Sequence, residues 1–449
     1  MDKNGGKIFT NRRTVLKGAT AAGAALSLNA VLPRFAWSAD GPPAITIGQL
    51  VPFTGSGAEY GEYYRDAAKM AVDQINEAAK KAFGGPIIAS LMTEDSATLP
   101  TPAISAARKM VEANGVPALI AAWSSGVTVA VATSVTIPAG VLQVANGATS
   151  PLISVLPEDA DTDLLYRTSP SDALQGVVAA ELAAGKIISD YKYSKVSTIY
   201  INNPYGQGLS NAFADAFEKR GGKVLQQVAH PEEVQPTYKS QIQTALDGDP
   251  ELVVAVTYPA HTAAILKEAR DIFNFTNFQF TDANRSEEVM KAVGGDVLNG
   301  KMGTVPTADP ESKSYKSFAD AYKKAFSHDR IPPFTETTYD AAIVIGLAMA
   351  KAVADGKKQA SDITGKVLAQ NMRPVANDPG EKIVAGSQDA ITKGIQAIAD
   401  GKDVDYVGAG GSVNFDENGD VKTPVGIWKF TKDGTETVKV VPASEIPSS

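Results

Sequence analysis

The sequence contains no cysteine and only three histidines in 449 residues. Without thiols, disulfides, thiolate metal sites, Cys nucleophiles and lipid attachment through an N-terminal Cys are excluded. His230, His261 and His328 are scattered, none one helical turn from another, so no metal centre and no cofactor is expected. A basic surplus is also missing. Lys plus Arg total 42 against 50 Asp plus Glu, a net charge of −8, which argues against nucleic acid or anionic lipid as partners. Long hydrophobic runs are absent too. The most apolar helical stretch, Ala341 to Ala354, has 14 residues, short of the roughly 20 that span a bilayer. What is present is a globular composition, 44% hydrophobic and 20% charged, in a chain long enough for two or three domains.

The first 39 residues differ from the rest. A polar start leads to Asn11-Arg12-Arg13-Thr14-Val15-Leu16-Lys17, then an uncharged, Ala-rich stretch from Gly18 to Pro33. This pattern is that of an export signal with a twin-arginine motif, with small residues near Ala36, Ser38 and Ala39 as cleavage positions. The segment holds six basic and one acidic side chains, so the remainder carries −13 within the total of −8. A soluble, periplasmic product is expected.

From Ala44 the chain alternates apolar or β-branched runs with amphipathic stretches, the rhythm of parallel sheets covered by helices. Strands are expected at 44–51, 86–93, 117–122 and 140–145. A second series follows Arg167-Thr168-Ser169-Pro170, with strands at 195–201, 223–228, 252–257 and 278–281 and helices near 172–190, 206–220, 236–247 and 259–273. The doubled rhythm implies two similar α/β lobes. Helices are expected over 312–400, then strands at 412–416, 425–430 and 437–441.

Several loops invite a chemical reading. Gly55-Ser56-Gly57-Ala58-Glu59-Tyr60-Gly61 follows the first strand, and Glu94-Asp95 closes the next, the setting of a dinucleotide site. The spacing is wrong, however, with Tyr60 where the third glycine belongs. Ala122-Trp123-Ser124-Ser125-Gly126 is a loose nucleophile elbow, but no histidine stands in a context that would make it a base. Hydroxyls and amides at Ser124, Ser125, Gly147 and Thr149 serve equally to hold a carboxylate. Asn203-Pro204-Tyr205-Gly206 and Thr257-Tyr258-Pro259 bring a ring to each of two strand ends in the second lobe, and such convergent groups build small-molecule pockets between domains. Asp416-Glu417-Asn418-Gly419-Asp420 lacks the sixth-position Gly of a calcium loop and reads as a hairpin turn.

The order of these short motifs, with Ile47-Gly48, Thr54-Gly55, Tyr205-Gly206-Gln207-Gly208, Ile265-Leu266-Lys267-Glu268-Ala269-Arg270 and Phe415-Asp416, resembles the periplasmic solute-binding proteins of ABC importers, of the branched-chain amino acid (leucine/isoleucine/valine) type, over residues 44–441. The resemblance implies an α/β, two-lobed type I periplasmic-binding fold, each lobe a mainly parallel sheet with helices on both faces, joined by three hinge crossings. These fall near Thr168-Ser169, Gly303–Val305 and Ala409–Gly411. Lobe 1 is then 44–168 plus 303–410, lobe 2 is 169–302 plus 411–441, and 442–449 is a tail. It further implies a non-catalytic, monomeric receptor that closes over a small carboxylate-bearing or amino-acid ligand and delivers it to a membrane permease. Ser125 (or Ser124), Gly147 and Thr149 would hold the carboxylate, and Tyr60, Tyr205 and Tyr258 would close over it. Where relatives place a Glu on the ligand ammonium, this chain aligns Asn284, and Asp282 would replace the missing charge if the loop shifts by two residues. Asn284 would favour a ligand lacking an α-amine. A sensor receptor of the same fold and a secreted serine hydrolase are the alternatives.

Overall fold

The computed structural model describes residues 41–447; the expected export leader lies outside them. The first series of strands is β1 (Ile45–Val51), β2 (Ile88–Asp95), β3 (Ala118–Ile120), β4 (Leu142–Ala145) and β5 (Leu165–Arg167), all parallel in the order β2-β1-β3-β4-β5. Every side chain of β1 is buried, as a strand covered by helices on both faces requires. The second series is β6 (Lys195–Ile201), β7 (Lys223–His230), β8 (Leu252–Val256) and β9 (Phe278–Gln279), parallel in the order β7-β6-β8-β9. Further along lie β10 (Met302–Pro306), β11 (Glu381–Val384), β12 (Val404–Val407), β13 (Val425–Phe430) and β14 (Thr435–Val441).

The helices that matter for the site are α1 (Gly61–Phe83), α2 (Ser125–Val131), α3 (Asp172–Ala183), α4 (Pro204–Lys219), α5 (Pro259–Phe273), α6 (Glu287–Val293) and α7 (Thr335–Ala354). α1 buries Ala67, Ala71, Ile75 and Ala78 along one face and ends where Gly84 takes the left-handed conformation, φ 83°, with its N–H on Lys80 O. α7 starts six residues earlier than the apolar stretch suggested. At 20 residues it is the one helix among the described residues long and apolar enough to cross a membrane, yet 83% of that window is buried inside the protein. It is a core helix packed on α1, and Gly346 is what admits Ile75: a Cβ there would sit 2.7 Å from the Ile75 side chain.

Three expectations need correction. Gly303–Val305 is not a crossing but the middle of β10, which pairs antiparallel with β13 and bridges in parallel from Gly303 to Phe280. β10, β13 and β14 therefore prolong the second sheet, and the chain leaves it only after Pro306, where Thr307 N–H donates to Pro424 O. Ala409–Gly411 is not a crossing either. Val413, Phe415 and Val421 pack in the first lobe's core, and Gly419 O accepts from Arg167 N–H, so the return falls at 422–424. Residues 412–416 form no strand; the turn after them lies in a loop, with Asp416 Oδ1 accepting from the amides of Asn418 and Asp420. β11 and β12, a parallel pair inside the stretch read as helical, were not anticipated.

In both main sheets the strand order reverses beside the first strand of its series, between β1 and β3 and between β6 and β8. Loops leaving the carboxyl ends there diverge and leave a crevice. The two crevices face one another.

Candidate functional site

On the first lobe the loop after β1 is organised by Asp95 at the end of β2. Its carboxylate accepts from the amides of Phe53 (3.0 Å) and Thr54 (3.2 Å) and from the Thr54 hydroxyl (2.6 Å). Within the glycine loop itself the amides of Gly57, Ala58 and Tyr60 are also committed, to Thr98 Oγ1, Gly55 O and Gly57 O, which leaves few to cradle a phosphate. After β3, Ser124 caps α2 and Ser125 Oγ reaches back to the loop after β4, accepting from Thr149 N–H and Ser150 N–H, both at 3.2 Å. With its lone pairs so used, the Ser125 hydroxyl proton is left to donate. Ser125→Ala would strand two buried amides, at about 1–3 kcal/mol. A lower urea midpoint with an unchanged slope is expected, and an unchanged midpoint would remove Ser125 from the loop's support.

Aromatic rings bridge the lobes. Trp123 stands 5.2 Å from Tyr60 on its own side and 4.8 Å from Tyr258 opposite, and Tyr258 stacks on Tyr205 at 5.5 Å. Tyr60 OH donates to Ala283 O (3.2 Å) and Tyr258 OH to Ser124 Oγ (3.0 Å), so two phenols join the lobes directly. Phe334, left-handed at φ 68° at the start of α7, packs in the same cluster. Gly147 is small of necessity: a Cβ would lie 2.5 Å from the Trp123 ring and 3.3 Å from that of Phe334. At the rim Glu59 of the first lobe accepts from the Ser286 hydroxyl and from Glu287 N–H (2.9 Å) at the start of α6, while pairing with Arg330. An anionic carboxylate on a helix N-terminus is favourable, so Glu59 latches one lobe on the other.

The polar centre lies at the second lobe's inner edge. Asp172, first residue of α3, donates its N–H to Thr149 O (2.7 Å) and accepts the Thr149 hydroxyl on Oδ2 (2.8 Å); its Oδ1 makes no hydrogen bond among the described residues. Asp282 Oδ1 accepts from Gln175 Nε2 (2.9 Å) and Tyr205 OH (3.0 Å). Both carboxyls are buried. Burial pushes Asp282 up to about 6, and burial together with the charge of Asp282 holds Asp172 well above the usual carboxylate range.

Two of the expected roles change. Asn284 does not face the cleft. It is fully buried, its Oδ1 accepts from Thr281 N–H (2.8 Å) and the Thr281 hydroxyl (3.0 Å), and its Nδ2 donates to Thr257 O (2.8 Å) and Thr262 Oγ1 (2.7 Å), so its amide is spent closing the 282–284 turn. Asp282, from the same turn, is the buried acid whose carboxylate meets Gln175 and Tyr205. The Thr149 hydroxyl is likewise not free to donate to a ligand carboxylate, because its proton is on Asp172. Asp172, Gln175, Trp123 and Phe334 were missed. Asp172 stands in no motif, and Trp123 sits inside one read only for its serines.

No histidine supplies a base to Ser124 or Ser125. The rings of His230 and His261 lie 4.9 Å apart, tilted, in the second lobe, where burial depresses them to about 4 and about 3, and they bond to Pro231 O and Glu232 O. His328 bonds to Asp66. The arrangement binds and encloses, and it has no activated nucleophile.

A family profile described as periplasmic binding protein matches residues 44–435. The leucine-, isoleucine-, valine-, threonine- and alanine-binding protein of Pseudomonas aeruginosa is 25% identical over 395 residues, 88% of this chain and 91% of that protein. Among solved structures, the leucine binding protein LivK from Thermotoga maritima superposes with a TM-score of 0.71 at 21% identity, covering 89% of this chain and 99% of that one. A solute binding protein of an ABC transporter from R. palustris in complex with benzoate gives a TM-score of 0.67 at 16% identity, covering 90% and 99%.

Proposed function

The chain belongs to the periplasmic binding protein family, of the branched-chain amino acid type, and from that premise we propose that it captures a small zwitterionic amino acid between its lobes and hands it to the permease of an ABC importer. The observation that carries this reading is the pair of buried carboxylates, Asp172 and Asp282, set across from the Ser125 hydroxyl. In this reading the ligand carboxylate takes the Ser125 proton, and its ammonium takes Asp172 Oδ1, Asp282 and the remaining lone pair of Thr149 Oγ1. Trp123, Tyr60 and Phe334 cover the apolar side chain. Neither half suffices alone. The first lobe supplies the hydroxyls and most rings, the second supplies the acids and phenols, so only closure gives a dry, complete pocket.

The test is a thermal-shift screen of leucine, valine and alanine against benzoate and aliphatic acids of matched size. A rise in melting temperature with the amino acids supports the reading, since a ligand bound only by the folded state stabilises it. A rise with the acids alone sinks it.

The acids also set a pH dependence. An ammonium is held by the charged form of Asp282, whose proton affinity in the free site is raised to about 6. As pH falls through that value the ligand must displace a proton, so affinity for an amino acid should drop between pH 7 and pH 5, towards roughly tenfold per pH unit below the pKa. Calorimetry in buffers of different ionisation enthalpy should show proton release at pH 5.5 and little at pH 8. A flat profile would place the ammonium elsewhere.

A further inference from the structure

A second cavity, of about 280 Å³, lies beside the crossing that follows β10 and is walled by both lobes. Arg285 and the β14 residues Thr435 and Thr437 come from the second lobe; Tyr315, Arg330 and Glu336 come from the first. The two arginines are in different situations. Arg330 is neutralised by Glu59 and Glu287. Arg285 makes no ion pair among the described residues; its Nε donates to Thr435 Oγ1 (3.1 Å) and one terminal nitrogen to Thr437 Oγ1 at 3.4 Å. A guanidinium has five N–H donors in a planar fork, so Arg285, which lines the cavity, has donors beyond those that meet Thr435 and Thr437.

Among the described residues, the one acid lining the cavity is Glu336, in the first turn of α7 and 6% exposed. Burial, with Asp340 behind it, lifts that carboxyl to about 7. Near neutrality a large share of molecules therefore carries a proton there, and a protonated carboxyl is a donor rather than a competing anion.

We propose that this cavity is an oxyanion site, in which Arg285 grips two oxygens of a small carboxylate or phosphate and the hydroxyls of Tyr315 and Thr437 add donors. A planar or tetrahedral oxyanion matches the guanidinium fork in a way that a monatomic ion does not. The lining of this cavity shares no residue with the amino-acid cleft.

The test uses the protein dialysed into Tris chloride. Sodium acetate and sodium phosphate are titrated in separate arms, each against sodium chloride at matched ionic strength, with the melting temperature as readout. A saturable rise with acetate or phosphate beyond the chloride control is expected; acetate alone identifies a carboxylate site, and phosphate a broader oxyanion site. The rise should vanish in Arg285→Gln, weaken at least severalfold in midpoint in Arg285→Lys, and persist in Glu336→Gln, whose amide still donates. Should Arg285→Gln not fold, the Lys variant carries the comparison. No saturable rise, an equal rise with chloride, or undiminished response in the folded Arg285 variants would overturn the assignment.

Discussion

Replacing Asp172 and Asp282 together by asparagine is expected to abolish amino-acid binding while leaving the ligand-free protein as stable as before, or more so. Each carboxyl has a raised pKa when folded, chiefly from burial. At pH 7, above both the unfolded and the raised folded value of Asp282, such a group opposes folding, and neutralising it relieves the penalty. The Thr149 hydroxyl can still donate to the amide oxygen of the asparagine placed at position 172, and Tyr205 to that of the one at 282, so the local bonds survive. The ligand fares differently. Its ammonium would be enclosed without a counter-charge, at about 3–5 kcal/mol, or a factor of about 150 to about 4,000 in Kd. Calorimetry with leucine or valine and melting curves of both proteins check this. Loss of binding accompanied by collapse of the fold would mean the pair is structural, and retained binding would mean that neither acid meets the ligand.

The second large effect is expected at Arg167, which is wholly buried at the end of β5. Its Nε and Nη2 each reach a different oxygen of Asp420 at 2.6 Å, Nη1 donates to Ser150 O (2.9 Å), and Nη2 also donates to Ser154 Oγ (2.7 Å). One side chain thus ties the return segment at 420 to the loop that carries Thr149 and Ser150. Arg167→Met should cost about 3–5 kcal/mol, because it leaves the Asp420 carboxylate without a counter-charge, although the Ser154 hydroxyl still donates to its Oδ2 (2.6 Å). Replacing both partners, Arg167→Met with Asp420→Leu, should recover much of the loss, since a buried ion pair and a well-packed apolar pair differ little. A double variant no better than the single one would show that the arginine acts through Ser150 and Ser154 instead. Urea unfolding of the four proteins in the cycle measures the coupling.

How much could be read in advance varied with how local the cause is. The strands at 195–201 and 425–430 and the helix at 259–273 were predicted to the residue, because each has a strong pattern bounded by turn residues or proline. β5, only Leu165–Arg167, was too short to show a period. β10 looked like a linker because its register comes from β13, more than a hundred residues on. Among site residues, the rings at strand ends and the hydroxyls of the loops after β3 and β4 were visible as motifs. The direction each group faces was not. Asp282 and Asn284 lie two residues apart in one short turn, and which of them meets the cleft depends on whether Thr257, Thr262 and Thr281 absorb the amide.

The sequence by itself determined the lack of thiol chemistry, the acidic net charge and the architecture, two runs of βα alternation that fold into two parallel sheets. These follow from composition and short-range periodicity, which no later packing can alter. The tertiary structure decided the electrostatics of the site. Asp172 and Asp282 are 110 positions apart; they come within reach of one another's charge only because the start of α3 and the turn after β9 are buried close together. Burial, charge proximity and the use of each hydrogen-bonding group are properties of assembled space.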